Sequence, residues 1–219
     1  MNFKKIVKNT ALAFGFEIKR KPVCSIYSAL HIDSVIDIGA NCGQFAMNLR
    51  DLKYRGMIFS VEPLRSAHKI LTERAEKDER WVVLPRSAVG ATGGDAVINV
   101  SANSVSSSIL HVNDLHVDSA PSSVVVDRQK VKVVTVDEII DRHNINLEST
   151  MMKIDVQGFE KAVLDGAKDS LASLKAVRLE LSLEPLYTDG PTYEFFLNFF
   201  SIAGFKLWDV EPGFRCSKT

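Results

Sequence analysis

The sequence predicts an α/β fold built on a single doubly wound, mostly parallel sheet with helices on both faces. Three observations predict it. Short apolar, β-branched runs alternate with helix-like segments along most of the chain. One run, Val35 to Ile38, opens at once into the small-residue turn Gly39-Ala40-Asn41-Cys42-Gly43 and then a helix-like segment. That strand–turn–helix arrangement brings backbone N–H groups close to nucleotide-like ligands. A second run, ending at Asp155, turns in the same way through Gly158. The length of 219 residues suits one large domain. A hydrophobic content of 46% with 25% charged residues suits a chain that buries a sizeable core.

In chain order, residues 1–31 read as a basic helical extension and residues 32–219 as the α/β domain. Lys4, Lys5, Lys8, Lys19, Arg20 and Lys21 are opposed by Glu17 alone within residues 1–22, while Phe3, Ile6, Val7, Ala11 and Phe14 share one helical face. A helix packed on its own domain is the plain reading; a membrane-surface or partner-binding helix is the alternative. The apolar stretch is short and Glu17 interrupts it, which argues against a signal peptide. No segment reaches the ~20 apolar residues of a membrane span. Strands are expected at Ser34–Ile38, Met57–Val61, Trp81–Leu84, Met151–Val156 and Ala176–Leu183, and helices at Gln44–Leu52, Ser66–Glu76, Phe159–Ala167 and Thr192–Ala203. Phe195, Phe196, Phe199 and Phe200 read as core.

The middle of the chain breaks the alternation with a small β insertion. Ala96–Ser101 and Val124–Val134 are strand-like, and Lys130-Val131-Lys132-Val133 alternates as a half-exposed strand should. Between them Ala102–Ser123 is rich in Ser, Asn, His and Asp and reads as an irregular loop. Thr135-Val-Asp-Glu138 has the form of a capping box starting a helix through Arg142.

Composition narrows the partners. The formal net charge is zero, so no overall field argues for nucleic acid. Cys24, Cys42 and Cys216 are widely spaced, which disfavours a disulfide framework or a zinc site and suits a reducing cytoplasm. His31, His68 and His143 show no metal-ligand spacing, and no metal site is expected.

The turn narrows the ligand. A dinucleotide site wants G-x-G-x-x-G so that the backbone can close on a pyrophosphate. Here the pattern is Gly39-x-Asn41-x-Gly43, with the middle glycine missing and the last one early. The carboxylate of Asp37 would repel a pyrophosphate and can meet an ammonium group. A nucleoside-type cofactor without phosphates, such as S-adenosylmethionine, fits better. Glu62 ends the next strand about 20 residues past Gly39, the offset at which such folds place a carboxylate on a ribose diol. Asp37, Glu62 and Asp155 therefore face one crevice from three strand ends. Three such acids are hard to justify as structure, since each costs free energy without a cation or hydrogen-bond donors; a helix N-cap is the plain alternative for Asp155.

Val35–Gly43, Val61-Glu62-Pro63, Ala88-Val89-Gly90, Ser106-Ser107-Ser108, Thr135-Val-Asp-Glu138, Lys153-Ile-Asp-Val-Gln-Gly-Phe-Glu160 and Leu179-Glu180 occur in this order. The series, from about residue 32 to 210, resembles FkbM-type methyltransferases, which are S-adenosylmethionine-dependent, class I (Rossmann-like) enzymes. The resemblance implies O-methylation of a hydroxyl on a glycan or small metabolite. It further implies that Asp37, Gly39, Ala40, Asn41 and Gly43 form the turn around the methionine part of the cofactor. Glu62 would hold the ribose, Ser87 and Ala88 would flank the adenine, and Asp155 would lie beside the methyl-transfer site. Two departures stand out. Gln157 occupies a position where the family commonly has Glu, which weakens the case for a divalent cation there. The chain also stops soon after the strand-like Phe205–Val210, so the final strand of the usual closing hairpin is expected to be short, irregular or absent.

O-methylation benefits from a positioned general base, because a sugar hydroxyl is a poor nucleophile. Asp155 is the first candidate for that role. His111 and His116, in the polar loop, follow because their pKa suits proton removal. Glu180 and Glu184 are placed to line an acceptor pocket. Ser106-Ser107-Ser108 reads equally as donors to a hydroxylated acceptor and as an ordinary exposed loop. Two other functions compete with the transferase reading: a non-catalytic cofactor-binding or assembly subunit of the same fold, and a nicotinamide-dependent oxidoreductase. The missing middle glycine argues against the latter.

Overall fold

The computed structural model describes residues 25–101, 125–181 and 191–211. A short helix α1 (Ser25–Ala29) leads into strand β1 (Ser34–Ile38), helix α2 (Gln44–Asp51), strand β2 (Met57–Val61), helix α3 (Arg65–Ala75) and strand β3 (Trp81–Val83). Strands β4 (Ser87–Val89), β5 (Gly94–Ser101) and β6 (Val125–Val134) follow. The chain then runs through α4 (Val136–His143), β7 (Thr150–Ile154), α5 (Glu160–Asp165), β8 (Ala176–Leu179) and α6 (Tyr193–Ile202). The central sheet has the order β3-β2-β1-β7-β8, and every neighbouring pair is parallel.

A parallel sheet covered on both faces has strands that are apolar throughout, and every residue of β1 and β7 is buried. Alternation along the strands sorts their side chains into two cores. Ile36, Ile38, Val61, Met152 and Ile154 pack with Ile139 and Ile140 of α4, Val163 and Leu164 of α5, and Phe196 of α6. On the opposite face Val35, Ile58 and Met151 pack with Ala46 and Leu49 of α2, Leu71 of α3, and Tyr27 of α1. The sheet is thus doubly wound, as expected.

The β insertion forms a separate sheet of order β4-β6-β5, with β4 parallel and β5 antiparallel to β6. In β6 Val131 is buried while Lys130 and Lys132 are exposed, as the alternation predicts. Strand β4 was not foreseen, since three residues carry no periodicity. The capping box at α4 is present: Glu138 N–H donates to Thr135 Oγ1 at 3.1 Å and Thr135 N–H to Glu138 Oε2 at 3.1 Å.

Three expectations need correction. Strand β7 ends at Ile154, and β8 is a strand only to Leu179, so Asp155 and Glu180 lie just past the strand ends rather than within them. The four phenylalanines of α6 do not share one fate: Phe196 is buried, Phe199 and Phe200 are half-buried, and Phe195 is exposed and stacks on Phe199 at 6.0 Å. Consecutive helical positions point about 100° apart, so one stripe cannot hold all four. Residues 205–210 form no strand; Leu207, Trp208 and Val210 are exposed, while Phe205 packs on Phe200. Among the described residues the central sheet ends at β8. The basic segment 1–22 lies outside the described residues. No helix among those described is long and apolar enough to cross a membrane.

β1 and β7 are adjacent, with Asp37 directly opposite Lys153 in the register. Asp37 is fully buried, and the Lys153 ammonium lies 3.1 Å from its Oδ1. The same ammonium reaches Asp155 Oδ2 at 3.2 Å and donates to the Gly39 carbonyl at 3.2 Å. Burial pushes the Asp37 carboxyl up, and the Lys153 charge opposes that shift. Burial also depresses the ammonium, but the Asp37 and Asp155 carboxylates outweigh it and raise Lys153 above its ordinary value. Gly39 takes φ +75°, and a Cβ there would fall on the carbonyl oxygen of Asp155, so the turns after β1 and β7 are in direct contact.

Two stability predictions follow from this junction. Lys153→Met strands the buried Asp37 carboxylate, a change that typically costs about 3–5 kcal/mol at neutral pH. In the variant the folded-state pKa of Asp37 lies far above its unfolded value. Acidification toward pH ~4 therefore favours the folded variant and narrows its deficit relative to the wild type. Urea unfolding of both proteins across that range checks this; a gap that stays constant with pH refutes it. Gly39→Ala should cost more than the about 1–3 kcal/mol of left-handed strain alone. Gly204→Ala is the control, because Gly204 also has positive φ (+87°) but nothing within 4 Å of its Cβ position. Equal losses in the two variants would show that the close contact at Gly39 contributes nothing.

Candidate active site

From β1 the chain steps outward through β2 to β3, and from β7 it steps the other way to β8. The crevice at the carboxyl ends of β1 and β7 is therefore the topological switch point, where open α/β sheets bind ligands. The turn after β1 is pinned to β2: Gly39 and Ala40 N–H donate to the Val61 carbonyl at 3.1 and 3.0 Å, and Gly43 N–H donates to the Ala40 carbonyl at 2.8 Å. Asn41 has φ +48°, and its Oδ1 accepts from Cys42 N–H at 2.7 Å. Gly43 opens α2 against Trp81 and Leu71, and no side chain caps the helix.

Glu62 leaves β2 and is buried beneath this turn. Its Oε2 accepts from Asn41 N–H at 2.7 Å and its Oε1 from Leu64 N–H at 2.8 Å. Burial pushes the carboxyl up to about 7 against those two amides. A carboxylate oxygen that takes one amide keeps a second lone pair for a further donor. Behind the turn Trp81 Nε1–H donates to Ser60 Oγ at 2.9 Å, and that hydroxyl lies 3.5 Å from Asp37 Oδ2. Asp37 is thus held by groups of the protein itself. The ammonium that meets it is that of Lys153.

At the end of β7 the Asp155 carboxylate is bound on two sides. Lys153 takes Oδ2, and Gln157 Nε2 donates to Oδ1 at 2.9 Å. The same amide reaches Glu180 Oε2 at 3.2 Å, just past β8. Burial raises the Asp155 carboxyl, but the Lys153 charge and the hydrogen bonds from Glu180, Gln157 and Lys153 prevail and hold it below its ordinary value. Glu180 shifts the other way: its hydrogen bond with Asp155, then burial and the Asp155 charge, push it up to about 7. Two adjacent carboxyls are thereby driven apart, one ionised and one titrating near neutrality, which is how environments separate acid–base roles. Glu160, buried at the start of α5, accepts from Gly158 N–H at 2.9 Å and is raised by burial.

The structure therefore gathers Gly39, Ala40, Asn41, Glu62 and Asp155 around one crevice, with Gly43 at its back; Asp37, expected to face that crevice, is instead fully buried beneath it against Lys153. Ser87 and Ala88 are buried in β4, in the other sheet. Their loop is tied toward Glu62 by Arg86 Nη1, which donates to the Pro63 carbonyl at 2.7 Å. Ser87 also lines a cavity of about 700 Å³ with Leu84, Lys132, Glu138 and Arg142. His111, His116, Ser106-Ser107-Ser108 and Glu184 lie outside the described residues. Among the described residues, no group of three or more His, Cys, Asp or Glu side chains converges as metal ligands. Sequence reasoning gave Lys153 no role. The signal was present, because a lysine inside the apolar run Met151-Met-Lys-Ile154, at the strand parity of Asp37, needs a buried anion beside it.

Comparison with known proteins matches the sequence that builds this site to a family. The family described as "Methyltransferase FkbM domain" matches residues 37–207, from Asp37 through α6. The chain is also similar to "Hexuronic acid methyltransferase AglP" of Haloferax volcanii, at 25% identity over 149 residues, covering 68% of this chain and 56% of that protein. The chain thus spans about half the length of that curated relative. With most of its length matched, including the switch-point turn and all three strand-end acids, the chain belongs to the FkbM methyltransferase family.

Proposed function

We propose that this methyltransferase uses S-adenosylmethionine and methylates a hydroxyl oxygen on a glycan or small hydroxylated metabolite. The observation that carries the reading is the switch-point crevice, where a glycine turn that departs from the G-x-G-x-x-G pyrophosphate pattern sits beside Glu62 and Asp155 and over the buried Asp37. That donor set fits a cationic nucleoside better than a pyrophosphate, which would meet like charge at Glu62 and Asp155. The relative's name, with its hexuronic acid, favours a sugar acceptor within this class.

In this reading Gly39, Ala40 and Asn41 shape the turn around the methionine part, and Glu62 accepts from the ribose hydroxyls. Ser87 and Ala88 flank the base. Asp37 acts from below, by fixing Lys153 and with it the Gly39 carbonyl. When bound, the cofactor supplies an electrophilic methyl on a sulfonium whose charge is neutralised as the methyl leaves. The protein's contribution is to align donor and acceptor and to exclude water.

The reading is tested by calorimetric titration with S-adenosylhomocysteine and, in parallel, NAD(H). Micromolar binding of the former alone is expected; preference for the nicotinamide overturns it. Glu62→Ala should weaken S-adenosylhomocysteine by about 1.5–3 kcal/mol, the worth of hydrogen bonds to a charged group, roughly 10- to 100-fold. Circular dichroism establishes that the variant is folded. Wild-type affinity in that folded variant removes Glu62 from the ribose site.

A further inference from the structure

We infer that Glu180 is the general base that takes the proton from the acceptor hydroxyl, and that Asp155 and Gln157 position it. The inference rests on the transferase reading and adds the residue that the reaction still lacks. Four side chains form a line from the core to the surface: Asp37, Lys153, Asp155 and Glu180, with the Gln157 amide donating to the last two. Asp155, half-buried and pinned by an ammonium and an amide, is a poor proton acceptor: its charge is already spent on Lys153. Glu180 is exposed at the adjacent strand end, where an acceptor can reach it.

The pairing explains why the proton, once taken, stays. A protonated Glu180 has one O–H to donate, and the ionised Asp155 beside it is the acceptor, so the conjugate acid is stabilised. Its titration near 7 matches the pKa that suits a base working at neutral pH. The charged groups facing Glu180 are Lys153 from β7, Asp155 from the turn after it and Glu160 from α5. On the strand that precedes it, Arg178 is taken by Glu211, at 2.7 Å. In the transfer the acceptor oxygen–methyl bond forms as the sulfur–methyl bond breaks. The sulfur keeps that electron pair, and the hydroxyl proton passes to a Glu180 carboxylate oxygen.

The first test needs no cofactor. Carbon-13 NMR of carboxyl-labelled glutamates should show a signal titrating near pH 7 that disappears in Glu180→Gln, distinct from that of Glu62. In Asp155→Asn the same signal should fall toward the ordinary glutamate range. A Glu180 signal that already titrates in that range overturns the inference. The second test is kinetic. Wild-type kcat should rise with pH through about 7, as the carboxylate form appears. Glu180→Gln should lose about 10²- to 10⁴-fold in kcat together with that inflection, while S-adenosylhomocysteine affinity is retained. If the wild type turns over and Glu180→Gln keeps its kcat, the base assignment alone fails. If the wild type neither binds S-adenosylhomocysteine nor methylates hydroxylated acceptors, the transferase reading fails and the base with it.

Discussion

A lysine ammonium buried between two carboxylates at the centre of a parallel sheet is an unusual way to join strands, and the rest of the site depends on it. The Asp37 carboxylate stands in the middle strand with no access to solvent, where an isolated charge is untenable. Lys153 satisfies it from the neighbouring strand, and the same ammonium reaches the Gly39 carbonyl and Asp155. The two turns that flank the switch point are therefore fixed to each other by charge as well as by the contact at Gly39. Replacing the pair by well-packed apolar residues is often neutral or stabilising for a fold. Its placement under the crevice is better explained by what it does to the carboxylates above it.

Electrostatics at the site form a graded series. Asp37 is fully buried, Asp155 is half-buried, and Glu180 is exposed. The ammonium sits at the inner end, so Asp155 remains ionised while Glu180, one step further out, is pushed toward neutral pH by Asp155 itself. Glu62 reaches a similar value by another route, through burial beneath two backbone amides. One crevice thus holds carboxyls of different readiness to accept a proton, set by burial and neighbours, from identical side-chain chemistry.

Much of this was legible in the sequence because parallel sheets write themselves as apolar runs that end in turn residues. β1, β2 and β3 and the helices α2 and α3 follow their periodicity closely, and the Thr135–Glu138 capping box is readable from four residues. The strand-end acids Asp37, Glu62 and Asp155 could be found because their positions are fixed by where the runs stop. What could not be read depends on three-dimensional neighbours. β4 is too short for a pattern. The partnership of Lys153 with Asp37 requires knowing that β7 inserts beside β1 across more than a hundred residues. Glu180 acquires its character from Asp155 on the next strand end and from burial, neither of which its own segment records. The apolar residues after Ala203 resemble a strand locally, yet a strand exists only where an edge receives it, and residues 205–210 pair with none among the described residues.

Gln157 shows how a single departure from a family pattern acquires meaning. A glutamate there, which the resemblance leads one to expect, would place a third carboxylate beside Asp155 and Glu180, and the three would repel one another unless a cation joined them. The amide instead offers N–H donors to both carboxylates from one atom, at 2.9 and 3.2 Å. Its backbone holds φ +55°, a left-handed conformation uncommon outside glycine and asparagine, which aims the side chain back over the strand ends. The strain is local, and what it secures is a neutral bridge between an ionised carboxylate and one that titrates near neutrality. That bridge keeps Glu180 close enough to Asp155 for their charges to interact while adding no charge of its own, which is the condition a carboxyl base needs to work near neutral pH.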